Sequence, residues 1–207
     1  MLIQCASGPY LPLLSKTSRW HARYCKHWGI AYQAVFGAVQ QGRHPNWDRF
    51  PLILNALRLP FDYIIYLDAD AIICNPNVDI QESANNVVHL GLVPHGTPWS
   101  DWSFHYNLGA IFARNRAIVT ELFQQVWDYG PQANKPEWPT QEPFHHCINL
   151  RRFAPDRLEA RWNSTVSENP VPNPVIQAFH GRGVACLPEL TEIADRLKLE
   201  LLDRLYK

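Results

Sequence analysis

The stretch Tyr63-Ile64-Ile65-Tyr66-Leu67-Asp68-Ala69-Asp70-Ala71-Ile72-Ile73 constrains this chain more than any other. From Phe61 to Leu67 it reads as a strand apolar on both faces, which excludes a half-solvated edge and predicts a central strand in a sheet covered on both sides. That strand runs straight into two carboxylates one residue apart. In extended backbone, positions i and i+2 point the same way, so Asp68 and Asp70 are expected to face one site. Two carboxylates so placed repel each other unless a cation sits between or beside them. The carboxyl end of a central strand is also where open α/β sheets bind ligands. A divalent metal there, bridging the oxygens of a diphosphate, would neutralise charge on a leaving nucleotide. The plainer alternative is that the two acids end the strand and cap the following turn.

The rest of the chain alternates strand and helix, which indicates an α/β layered domain. Leu2 to Ala6 is a buried first strand, broken at Ser7-Gly8-Pro9. Leu11 to Trp28 is helical, with Leu14, Trp20, Tyr24 and Trp28 sharing a face and Gly29 at the C-terminal cap. Ile30 to Phe36 is a second strand, Gln40 to Asn46 a polar loop, and Phe50 to Leu59 a helix stopped by Pro60. Further on, Val87 to Val93 is a strand, Pro94 to Trp102 a loop, and Asn107 to Ala113 another strand. Ala117 to Tyr129 is an amphipathic helix and Pro131 to Pro139 a proline-punctuated loop. A helix starts near Thr140, Val175 to His180 is a short late strand, and Thr191 to Tyr206 a final helix. Its apolar stripe, Ile193, Leu197, Leu201, Leu202 and Leu205, with mixed charges around it, suits packing on the core or a partner better than a membrane surface. No repeat or low-complexity segment interrupts the pattern, so the 207 residues are read as one domain.

Composition narrows the function. Nineteen basic and nineteen acidic residues give a net charge of zero, which argues against a dedicated nucleic-acid binder. No window is long and apolar enough for a membrane span, and no leader pattern opens the chain. The cysteines, Cys5, Cys25, Cys74, Cys147 and Cys186, are odd in number and contain no CxxC pair. They read as small buried hydrophobes in a reducing, cytoplasmic setting. Asn163-Ser164-Thr165 has the form of a glycosylation acceptor, a triplet that also arises by chance.

Four motifs in order resemble a known family. They are His44-Pro45-Asn46-Trp47-Asp48-Arg49 with the Tyr66–Pro76 stretch, Asn107-Leu108-Gly109, Gln141-Glu142 and Phe179-His180-Gly181. Together they resemble the nucleotide-sugar glycosyltransferases of the GT-A fold, nearest the galactosyl-, mannosyl- and xylosyltransferase family with a DxD motif. Glu142 stands where that family has Asp. The resemblance implies a Rossmann-like, mostly parallel central sheet flanked by helices in a single domain. Residues 1–80 would form a nucleotide-binding half ending in the DxD, 81–185 a donor and acceptor half, and 186–207 a C-terminal helix.

It further implies a metal-dependent transfer of a sugar from a nucleotide-sugar donor, UDP-linked by expectation, to a hydroxyl of a saccharide or other acceptor, with retention of configuration. Asp68, Asp70 and His180 would hold Mn2+, with Mg2+ possible; an imidazole beside carboxylates tilts preference toward manganese. Ala6, Ser7, Gly8, Arg49, Ala69, Gly109 and Gly181 would join Asp68 and Asp70 in binding the donor. Gln141, Glu142 and Asn107 would stand at the reacting centre. Each has a plainer role: His180 a turn histidine, Gln141 and Glu142 first-turn capping, Asn107 and Gly109 a strand residue and a bulge glycine. Arg19 and Tyr24 are lesser base-site candidates. His145 and His146, and Trp99, Trp102, Phe104 and Trp138, are candidates for the acceptor side, and Trp47 is expected in the core. Members of that family usually carry a membrane anchor and a longer luminal domain; this chain is expected to be the catalytic core without them. The competing classes are a haloacid-dehalogenase-type phosphatase, which also places Asp-x-Asp after an apolar strand, and a non-catalytic carbohydrate-binding module. A DNA-glucosylating enzyme would share the donor chemistry but not the neutral charge.

Overall fold

A computed structural model describes residues 1–95, 105–130, 140–166 and 169–205, with side chains as far as residue 200. A six-stranded sheet divides the molecule, in the order β2-β1-β3-β6-β5-β7. Its strands are β1 (Leu2–Ala6), β2 (Tyr32–Phe36), β3 (Tyr63–Leu67), β5 (Leu90–His95), β6 (His105–Arg114) and β7 (Asp156–Arg157). β6 is antiparallel to both its neighbours, β3 and β5, while the pairs β1–β2, β1–β3 and β5–β7 are parallel. Five strands therefore share one direction, and the expected mostly parallel sheet holds with one reversed strand near its centre.

The run of apolar residues in β3 follows from its position. Ile65 and Leu67 enter one core with Leu2 and Ala6 of β1, beneath α1 (Leu11–His27) and α6 (Leu187–Leu205). Ile64 and Tyr66 enter the other with Ile3 and Cys5, beneath α2 (Arg49–Ala56), α4 (Ala117–Tyr129) and α5 (Gln141–Arg151). The period-2 alternation of side chains thus feeds two apolar layers from a single strand. α1 ends where its sequence says it should: Gly29 takes φ +66°, a left-handed cap that costs a glycine little. α2 stops at Ala56, before the expected Leu59, because residues 57–60 turn ahead of the proline. α6 opens at Leu187, four residues before the expected start, behind a 3-10 turn over Gly183–Cys186.

A smaller sheet was not legible in the sequence. β4 (Ala71–Ile73) pairs antiparallel with β9 (Ile176–Ala178), and β8 (Ser164–Thr165) runs parallel to β9 on its other side. Strands of two and three residues leave no periodicity to detect. Their consequence is large, because Ala71 faces Ala178 and the chain after β9 is thereby delivered beside Asp70. A short helix α3 (Ile80–Asn86), capped by Asp79 accepting from the Gln81 amide, follows β4. The triplet Asn163-Ser164-Thr165 is fully buried at β8, so the folded chain offers no acceptor for a glycan there. No helix among the described residues is long and apolar enough to cross a membrane.

Candidate functional site

At the carboxyl ends of β1 and β3 the surface opens into a cavity of about 600 Å³. Ala6, Ser7, Arg49, Asp68, Ala69, Asp70, Asn107, Gly109, Gln141, His180 and Gly181 all line it. Residues separated by as many as 175 positions in the sequence, Ala6 and Gly181, therefore meet on one wall. Gly8 and Glu142 do not reach it. Gly8 starts a 3-10 turn over Gly8–Tyr10, and the neighbours Pro9 and Tyr10 face the cavity instead. Glu142 follows Thr140 and Gln141, which do line the cavity, but its own Oε2 is buried and, among the described residues, has no hydrogen-bond partner.

The two carboxylates arrive by a route that differs from extended alternation. β3 ends at Leu67, and Asp68 to Asp70 form a turn in which the Ala71 amide donates to the Asp68 carbonyl at 3.1 Å. Both acids still line the cavity, but a closed turn and not a strand presents them. Asp68 is held from several directions. The Tyr66 hydroxyl donates to Oδ1 at 2.8 Å, and Arg49 Nη2 lies 3.2 Å from Oδ1 and 3.3 Å from Oδ2. Its amide donates to the Gly109 carbonyl at 2.8 Å. Among the described residues no cation pairs directly with Asp70, and Arg49 acts on it only as a more distant charge. Burial in the cavity wall, then repulsion from Asp68, pushes its carboxyl up to about 7. An acid pair in this state favours a cation.

Arg49 is buried, and its donors are committed: Nε to the Asn46 carbonyl at 3.0 Å, Nη1 to the Leu108 carbonyl at 2.7 Å, and Nη2 to Asp68. It lines the cavity, as the donor-site reading expects, and it braces Asp68. Asn107 Oδ1 accepts from the Gly109 amide at 2.7 Å, which turns the side chain back over its own strand. Asn107 Nδ2 is buried and, among the described residues, has no hydrogen-bond partner. Gly109 is required by close approach: a Cβ there would stand 2.9 Å from Asn107 Oδ1 and 3.3 Å from Asp68 Oδ2.

One face of α1 fixes the backbone that follows Asp68. Thr17 Oγ1 donates to the Ala69 carbonyl at 3.3 Å, Trp20 Nε1 to the Ile73 carbonyl at 2.7 Å, and Trp28 Nε1 to the Pro76 carbonyl at 3.2 Å. His21 Nε2 accepts from the Ile73 amide at 3.1 Å, so Nδ1 carries the proton and donates to Gln4 Oε1 at 2.7 Å. Gln4 Nε2 in turn donates to the Asp68 carbonyl at 3.1 Å. Burial holds His21 neutral by lowering its pKa to about 3, as this two-sided role demands. Tyr24, a lesser base-site candidate, belongs to the same face: it donates to the Val78 carbonyl at 2.5 Å and is buried away from the cavity. Arg19 is exposed on α1 and does not line the cavity either. His180 reaches the cavity through the second sheet, where the Phe179 amide donates to the Asp70 carbonyl at 3.2 Å.

Other candidates fall outside the site. Trp47 is buried against Phe50 and Trp127, as expected of a core residue. His145 is buried, stacks on Tyr106 at 6.0 Å and accepts from the Tyr106 amide at 3.2 Å; burial lowers its pKa to about 4. His146 is exposed and stacks on Tyr129 at 4.3 Å. Trp99, Trp102, Phe104 and Trp138 lie outside the described residues. Tyr66, Thr140 and Arg182, which line the cavity, were not singled out from sequence. Arg182 sat in plain view between two glycines.

Among the described residues no three His, Cys, Asp or Glu side chains close on a common point as a ready-made metal cluster. The residue types nevertheless include those a divalent cation takes: Asp68, Asp70 and His180 line the same cavity, and among the described residues no ion pair holds Asp70.

No protein-family model matches the chain, and none of the curated proteins does. Solved structures do. A glycosyltransferase involved in glycosylation of the major capsid of PBCV-1 superposes with TM-score 0.68 at 16% identity, covering 93% of this chain and 98% of that one. The galactosyltransferase LgtC, solved with donor and acceptor sugar analogs, gives 0.60 at 10% identity over 94% and 95%. Mouse xyloside xylosyltransferase 1 gives 0.54 at 11% identity over 88% and 98%. Identities this low establish a common architecture, and the chain has the GT-A glycosyltransferase fold.

Proposed function

We propose that this chain is a metal-dependent glycosyltransferase, moving a sugar from a nucleotide-sugar donor, UDP-linked in the first instance, to a hydroxyl of a saccharide or other acceptor. The observation that carries this reading is one cavity, at the carboxyl ends of β1 and β3, lined by Asp68, Asp70, His180, Asn107 and Gln141. The fold shared with galactosyl- and xylosyltransferases supports it. Asp70 and His180, with Asp68, would hold Mn2+ or Mg2+. When bound, such an ion neutralises charge on the diphosphate leaving group.

The chain's own residues do the rest. Arg49 and Tyr66 fix Asp68, and α1 fixes the turn that carries both acids, so the site is formed before ligand arrives. The side chains of Asn107 and of Gln141, at the N-terminus of α5, are the neutral amides this reading sets against the sugar. Ala6 and Ser7, with Pro9 and Tyr10, form the end of the cavity suited to base and ribose. Retention is the stereochemical course this reading takes, with the leaving diphosphate oxygen accepting the acceptor's proton.

The phosphatase alternative needs Asp68 as a free nucleophile, yet Tyr66 and Arg49 already hold it. The carbohydrate-module alternative conflicts with helices covering both faces of the sheet.

The test is a thermal-shift panel of UDP, GDP, CDP and sugar nucleotides, each with Mn2+ or EDTA. A ligand at about 100 times its Kd adds about 2.7 kcal/mol, which raises the Tm of a chain this size by roughly 5–10 °C. A rise with one carrier only in Mn2+, lost in Asp70→Ala, is expected. No rise with any nucleotide would overturn the proposal.

A further inference from the structure

Two guanidinium groups line the cavity among the described residues, and they differ in availability. Arg49 is buried and spent on Asp68 and two backbone carbonyls. Arg182 is half-exposed and forms a two-pronged pair with Glu189 in the first turn of α6, Nη1 to Oε2 at 2.8 Å and Nη2 to Oε1 at 2.6 Å. Glu189 itself is exposed and does not line the cavity.

Resting on the nucleotide-sugar reading above, we infer that Arg182 is the exchangeable cation of the anion subsite, and that Glu189 is its resident competitor. Arg182 leaves Glu189 for the diphosphate oxygens when ligand enters. The magnitudes permit the exchange. A solvent-exposed ion pair shifts an equilibrium by about fivefold at most. A guanidinium on a phosphate makes a charge-assisted, two-pronged contact of the stronger kind. The ligand therefore wins Arg182, and the affinity it shows is reduced by what Glu189 gives up. Glu189 tunes how tightly the diphosphate is held without touching it.

The experiment is a double-mutant cycle by titration calorimetry on the whole chain, comparing wild type, Glu189→Gln, Arg182→Ala and the double variant. The probes are UDP, GDP and CDP with Mn2+, and inorganic pyrophosphate with Mg2+. Glu189→Gln is expected to bind about two- to fivefold tighter, the size of a released surface pair. Arg182→Ala is expected to bind about tenfold weaker or worse, and the gain from Glu189→Gln should vanish in its background. Both positions are exposed enough for the variants to fold, and unchanged Tm values check this. A gain that persists without Arg182 would mean a through-space charge effect and would sink the exchange. So would equal affinity of wild type and Glu189→Gln. If pyrophosphate behaves as expected but no nucleotide binds, the exchange stands and the glycosyl-transfer reading falls. If neither nucleotides nor pyrophosphate bind, both fall.

Discussion

Gly109 has no side chain because two functional atoms occupy the space a Cβ would take. In Gly109→Ala either the hydrogen bond from the residue 109 amide to Asn107 Oδ1 breaks or Asp68 shifts against Arg49, since both neighbours are held. The expected cost is about 1–3 kcal/mol of stability, the usual range for overpacking a buried site. A loss of nucleotide affinity out of proportion to that cost is also expected. Calorimetry and a binding titration on the same preparation check it, and wild-type affinity in a merely destabilised variant would show that the close approach is only packing. Asp70 carries a second residue-scale prediction. Its folded pKa, about 7, lies above the ordinary 3.8, so the folded chain binds this proton more tightly than the unfolded chain. Stability contributed by that proton is present at low pH and declines as pH rises toward 7. Asp70→Asn cannot lose it. In EDTA, the variant should match wild type near pH 4.5 and exceed it at pH 8. After solvent screening of a partly exposed carboxylate, an advantage on the order of 1 kcal/mol, about 2–4 °C in Tm, is expected. Parallel pH curves for the two proteins would refute the assignment.

α1 behaves as a jig for the segment after Asp68. Its residues 17, 20, 21 and 24 share a face with the C-cap residue Trp28, and each holds backbone between Ala69 and Ile80. Replacing His21 by Leu strands the Ile73 amide in the core, at about 1–3 kcal/mol, while Gln4 Oε1 keeps the Tyr32 hydroxyl as its donor at 2.8 Å. Hydrogen exchange should then speed at Ile73 before it speeds in β3, and donor affinity should fall with the loosened turn. Uniform exchange across the sheet would mean that His21 only stabilises the fold. The apolar members of this face, Trp20, Tyr24 and Trp28, were legible in the sequence through their spacing. Their polar tips were not, because a pattern shows which side is buried and not which carbonyl a ring nitrogen will meet. The same limit explains the site. Asp68, Asp70, Asn107 and His180 were legible through motif order, while Tyr66 was hidden inside its strand by looking like core. Arg182 escaped because a loop cation between glycines carries no periodic signal. The reversed direction of β6 was likewise invisible, since a strand buried on both faces reads the same either way.

At the scale of the whole molecule, the two halves marked off at residue 80 are interleaved. β3 pairs with β6 across that boundary, α1 of the first half packs against α6 at the chain's far end, and β4 is completed only by β9. Neither half can bury its apolar layer alone, so the chain should unfold as one cooperative unit. The cysteines report on this. Cys5, Cys25, Cys147 and Cys186 are buried and Cys74 half-buried, and burial pushes all five thiols up, to about 11 or 12. The thiolate is the reactive form, so at pH 8 the native protein should label slowly at every site. The five should then become reactive together, at the denaturant concentration where tryptophan fluorescence changes. Cys5 adds a local readout, because it lines the cavity 3.8 Å from the Tyr66 hydroxyl that holds Asp68. A bound nucleotide should slow its labelling beyond the general protection seen at Cys25, which sits in the core under α1 and away from the cavity. Two separate labelling transitions would show that the halves unfold independently. Equal protection of Cys5 and Cys25 would show that ligand stabilises the fold without covering the end of β1.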